Sequence, residues 1–90
     1  MTIDLDCGKL IRVLDDMVAA GDAEKLPSEY AVDFYDAEPP MCMEIEFYKG
    51  KCQVLSCYEL LFSAELDGWY TGEKVTDPEK VAAVLRGLCQ

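Results

Sequence analysis

From Met41 to Tyr48 the chain alternates without interruption: Met41, Met43, Ile45 and Phe47 share one parity, and Cys42, Glu44, Glu46 and Tyr48 share the other. A period of two belongs to a strand with one apolar and one polar face, whereas a helix cannot bury such a set on a single side. The strand needs a partner, and Lys49-Gly50 supplies a turn that returns the chain on itself. A loop of those two residues sets Phe47 against Cys52, Ile45 against Val54 and Glu46 against Gln53, so apolar meets apolar and polar meets polar. Carried further, the same register puts Cys42 opposite Cys57 on the outer face, the one place where a disulfide is expected to be able to close. An antiparallel sheet with one buried face is the constraint to which the rest of the chain must conform.

Upstream, Tyr30, Val32 and Phe34 alternate with Ala31, Asp33 and Tyr35, which predicts a second strand over Tyr30–Tyr35. Glu38-Pro39-Pro40 ends it, because consecutive prolines cannot donate to a ladder. Before it, Cys7, Leu10, Ile11, Leu14, Met17 and Val18 form the apolar stripe of an amphipathic helix, with Lys9, Arg12, Asp15 and Asp16 off the stripe. Asp4 or Asp6 caps its start and Gly21 ends it. Downstream, Tyr58–Leu66 fits either the end of a strand or a short helix, Asp67-Gly68 is a turn, and Trp69–Thr71 is a short strand ended by Gly72. Asp77 as N-cap and Pro78 at the first position open a second helix, unless Thr76 and Glu79 form a capping box one residue earlier. Val81, Val84, Leu85 and Leu88 are its stripe. The expected fold is α+β: an antiparallel three- to four-stranded sheet with the N-terminal and C-terminal helices packed on one face, in the order α-β-β-β-(β)-α. Residues 1–90 are expected to form a single compact domain.

A chain that is 51% hydrophobic is too apolar to be a disordered acidic tail. It contains no histidine, and so lacks the usual general base, the usual activator of a nucleophilic cysteine or serine, and the commonest nitrogen ligand for metals. Cys7 sits among Asp4 and Asp6, which oppose a thiolate, and Cys89 trails the second helix near its negative pole. Cysteine knuckles are absent, the closest pair being Cys52-x4-Cys57, and Asp33, Asp36 and Glu38 do not have the spacing of a calcium loop. Phosphate-cradling glycine loops and nucleophile elbows are absent as well. The sequence therefore predicts no catalytic residue, no metal and no cofactor. An acidic N-terminus without an apolar stretch, five cysteines, and no run near the ~20 apolar residues of a membrane span predict a cytoplasmic protein with reduced thiols.

Between Leu26 and Phe47 there are six acids and no base, in a chain of formal net charge −10. Like charge at this density accepts self-repulsion and argues against direct contact with nucleic acid or anionic membranes. The alternation carries Asp33, Tyr35, Glu44, Glu46 and Tyr48 onto the outer sheet face, with Asp36 and Glu38 in the connection beside them. These acids and tyrosines are the expected partner-binding residues, tyrosine being enriched at interfaces. The expected partner is a protein with a basic surface, such as a nucleic-acid-binding protein or complex, because carboxylates on a rigid sheet approximate the spacing of phosphates. The expected function is inhibition by occupying a nucleic-acid channel. In size and charge the chain is similar to small acidic inhibitors encoded by phages and mobile elements, anti-CRISPR proteins among them, a likeness of composition alone. The alternative is a self-associating structural or regulatory subunit, a homodimer sealed by an apolar seam through Leu60, Leu61, Phe62, Trp69 and Tyr70. Salt separates the two, since electrostatic docking weakens as salt rises and an apolar seam does not.

Overall fold

The computed structural model describes residues 1–90. The elements run β1 (Thr2–Ile3), α1 (Cys7–Ala20), β2 (Ala23–Lys25), β3 (Tyr30–Phe34), β4 (Met41–Tyr48), β5 (Lys51–Ser63), β6 (Gly68–Lys74) and α2 (Pro78–Leu88). Asp6, not Asp4, caps α1: the Lys9 N–H donates to Asp6 Oδ1 at 3.1 Å. Gly21 closes the helix in the left-handed region (φ 85°), a conformation costly for a residue with a Cβ. At α2, Asp77 accepts from the Glu79 N–H at 3.0 Å and Pro78 occupies the first turn. No helix is long and apolar enough to cross a membrane.

The sheet is antiparallel throughout and has six strands, where the sequence predicts three or four. Its order is β2-β3-β4-β5, and the far edge of β5 is shared by β1 along Cys52–Gln53 and β6 along Tyr58–Ser63. Thr2–Ile3 and Ala23–Lys25 were missed because segments of two or three residues have no measurable period. Tyr58–Ser63, ambiguous from its pattern, continues β5 as strand because Tyr58 and Glu59 pair with β4 and Leu60–Ser63 pairs with β6. The β4–β5 turn has the expected length; Lys49 (φ 51°) and Gly50 (φ 74°) both take the positive φ that a tight hairpin loop needs to match the twist of its strands.

The expected register holds next to that turn and then fails. Phe47 lies opposite Cys52, Glu46 opposite Gln53 and Ile45 opposite Val54, but Glu44 lies opposite Ser56. Leu55 is therefore an extra residue, a β-bulge that reverses the parity of β5 beyond it. As a result Cys57 pairs with Met43 and is buried, its Sγ 3.7 Å from Met41 Sδ, while Cys42 pairs with Tyr58. The expected meeting of Cys42 and Cys57 on the outer face does not occur, and all five cysteines are free.

A single buried cluster joins Leu10 and Leu14 of α1, Val81, Ala82 and Leu85 of α2, and sheet residues that include Val32, Met41, Met43, Ile45, Val54 and Cys57. At one side of this core the Tyr30 hydroxyl donates to Asp15 Oδ1 at 2.6 Å, tying α1 to β3.

Ile45 is fully buried at the centre of this cluster. Replacing it with alanine should cost about 2–5 kcal/mol through lost transfer energy and a residual cavity. Glu44→Ala, at an exposed position on the same strand, should change stability by less than about 0.5 kcal/mol; chemical denaturation of the two variants checks the contrast. The buried thiols give a second expectation. Burial pushes Cys52 and Cys57 from the ordinary 9.0 up to about 11, so the unfolded chain ionises first as pH rises. Their contribution is complete below pH 9 and is lost as pH climbs through 11. Urea midpoints should fall across that window, and less steeply in Cys57→Ala.

Candidate partner-binding surface

The register lays out the outer face in rows. Asp33 on β3 lies opposite Cys42 on β4, which lies opposite Tyr58 on β5. In the next row are Ala31, Glu44 and Ser56, with Ser56 Oγ donating to Glu44 Oε1 at 3.2 Å. Glu46 then pairs with Gln53, and Tyr48 with Lys51 at the hairpin end. Asp33, Tyr35, Glu44 and Tyr48 are exposed and Glu46 is half-buried. Asp36 and Glu38 are exposed too, but they belong to the β3–β4 connection and not to the sheet face.

The acids act on one another. Glu29 stands one residue before β3, within reach of the charges of Glu44 and Glu46. Desolvation, and then the charges of Glu44 and Glu46, raise its carboxyl above the usual value. The Tyr35 hydroxyl donates to Asp33 Oδ2 at 3.3 Å, and the Asp33 charge is the main reason that this phenol resists ionisation. Burial, and then Asp33, push the Cys42 thiol up, which keeps it protonated and a poor nucleophile. No group of three or more cysteine, aspartate or glutamate side chains is arranged to hold a metal ion.

Aromatic residues complete the surface. The Tyr35 ring lies 5.1 Å from Trp69, centroid to centroid, and Trp69 lies 5.6 Å from Phe62 in an edge-to-face arrangement. Phe62 and Trp69 are direct cross-strand partners on the β5–β6 hairpin. All three remain substantially exposed: Tyr35 47%, Phe62 56% and Trp69 44%. Leu60, two residues before Phe62, is 7% exposed yet stands outside the main core cluster. The sequence treats the acidic strand face and the Leu60–Tyr70 seam as rivals. The structure brings them together at Tyr35, where one ends and the other begins.

Two contributors escape the sequence reading. Glu29 lies just outside the strand alternation that marks the other acids, and its neighbours become visible only once β3 is paired with β4. Tyr58 reaches the row of Asp33 only because of the bulge at Leu55, a one-residue irregularity with no signature in an otherwise apolar run.

Because the raised Glu29 carboxyl holds its proton more tightly in the folded state, its ionised form weakens the fold at neutral pH. Glu29→Gln should therefore be more stable than the parent at pH 7, the usual neutral reference. The advantage should disappear as pH falls below the ordinary 4.5, and shrink with added salt. Paired urea titrations at the two pH values test the sign. No protein-family model, curated protein or solved structure matches the chain, so its role is read from this geometry alone.

Proposed function

We propose that this is a non-catalytic binding domain that docks on a basic protein surface through the outer face of its sheet. The observation that carries the reading is the contact of Tyr35 with Trp69, which joins an exposed aromatic group to a field of carboxylates. Binding energy at interfaces concentrates in Trp and Tyr anchors, while surrounding charges steer encounter and reject wrong partners. Asp33, Tyr35, Glu44, Glu46 and Tyr48 are the docking residues on the face, and Asp36 and Glu38 extend them along the β3–β4 connection. Both helices are taken to cover the opposite face. The shared buried cluster supports this, since it draws on α1, α2 and one parity of β3 and β4.

In its sharper form the partner surface is one that binds nucleic acid, and the domain is an inhibitor of the kind that phages and mobile elements encode. The net charge of −10 and the rows of carboxylates support that form, and a cytoplasmic location suits five free thiols. Self-association is the second reading. It is favoured by Leu61 and Tyr70, exposed cross-strand partners whose parity places them on the side of the β5–β6 hairpin away from Phe62 and Trp69.

The combined variant Asp33→Lys, Glu44→Lys and Glu46→Lys should stay folded by circular dichroism and associate with the partner at least about tenfold more slowly at low salt. Trp69→Ala should mainly speed dissociation, at a cost of roughly 2 kcal/mol or more. Stopped-flow or surface-based kinetics at low and high salt separate the two effects. If the charge reversal leaves binding intact while Leu61→Asp abolishes a salt-insensitive dimer, self-association replaces this reading.

A further inference from the structure

A groove of about 490 Å³ lies between the C-terminal ends of the two helices and the β3–β4 connection. Met17 of α1, Phe34 of β3, and Val84 and Leu88 of α2 contribute its apolar lining. Ala83 and Gly87, one turn apart on α2, leave that wall low, and a Cβ added at Gly87 would meet no heavy atom within 4 Å. The charged lining residues are Asp22, Asp33, Asp36 and Glu38, all acidic.

Two further features make the groove attractive to a cation. A helix carries partial negative charge at its C-terminus, and the ends of both α1 and α2 border the groove. The chain does little to neutralise either pole. The last turn of α1 has no basic residue, and Arg86, the basic residue in the last turn of α2, is engaged elsewhere, its Nε and Nη2 donating to the Asp4 carbonyl at 3.1 and 3.0 Å.

We propose that this groove is a docking site for a basic segment of the partner protein, one apolar side chain resting on the floor and flanking lysines or arginines on the acidic rim. A second copy of this chain is disfavoured as the occupant, because each copy brings a net charge of −10. A purely cationic segment would leave the apolar lining of Met17, Val84 and Leu88 in water, and a purely apolar one would leave four carboxylates unanswered. The inference rests on the reading above in taking the partner as basic. It differs in placing an apolar anchor beyond the sheet face, around the β3–β4 connection.

The test uses the full chain, labelled for NMR, titrated with a short peptide of alternating lysine and leucine pairs. Methyl resonances of Met17, Val84 and Leu88 should shift together. Gly87→Trp, which fills the groove from an exposed position, should weaken the peptide roughly tenfold or more. Asp36→Lys with Glu38→Lys should do the same without touching the floor. Glu44→Lys with Glu46→Lys should leave the peptide affinity within about twofold, because those residues do not line the groove. Shifts confined to the Glu44–Glu46 face would overturn the groove while sparing the outer-face reading, and an absence of shifts at either place would overturn the groove outright. Equal binding by a lysine-only peptide, or by a leucine-serine peptide without charge, would overturn the proposed chemistry of the occupant.

Discussion

Burial of Met41, Met43 and Ile45 along one side of β4 is the interaction on which the other elements depend. β4 lies between β3 and β5, and these side chains meet Leu10 and Leu14 from one helix and Val81 and Leu85 from the other in a single cluster. Since side chains on a strand alternate, placing those three residues in the core forces Cys42, Glu44 and Glu46 to the opposite side. The acidic face is thus a geometric consequence of the core, and it carries a penalty. Glu44 and Glu46 are close enough to raise the proton affinity of Glu29, so apolar burial has to offset a standing repulsion.

The surface that results combines two kinds of group with different physical uses. Carboxylates act at a distance through the field they create and fade with salt. Aromatic rings act only on contact, by desolvation and packing, and salt hardly affects them. They meet here because β3 ends at Phe34, leaving Tyr35 free to lean on Trp69 across the end of β4, where β5 and β6 run on as a two-stranded ribbon. A ribbon of that kind is marginal by itself, and the contact of Tyr35 with Trp69 ties it to the sheet beside the bond from the Leu60 N–H to the Pro40 carbonyl.

Most of the regular structure was legible in the sequence because it is written in periods and caps. The Cys7–Val18 stripe, Gly21, the Met41–Tyr48 alternation, Lys49-Gly50 and Asp77-Pro78 each carry a local signal, and each forms the element it predicts. What was hidden depends on distant pairing. The two residues of β1 become a strand only because β5 has a free edge at Cys52–Gln53, more than forty positions away. The exposed positions of Asp33, Glu44 and Tyr48 followed from parity, whereas the approach of Tyr35 to Trp69 requires the path of the β5–β6 hairpin, and nothing local in Tyr58–Leu66 sets that path.

The extra residue at Leu55 has a consequence for how this chain can vary. Up to Val54, β5 turns even-numbered residues inward; beyond the bulge Cys57 faces the core and Tyr58 the outer surface. Loss of one residue between Val54 and Cys57 would remove the bulge and leave a regular ladder, with Cys57 still facing the core and Tyr58 still facing outward. A chain descended from this one can therefore shorten by one residue here, as it can lengthen or shorten in the exposed turn at Ala64–Asp67. A one-residue change in the regular part of β5 would instead turn every later side chain to the opposite face. The regular strand works like a reading frame for the faces of the sheet, and the bulge at Leu55 is the one spare place in it.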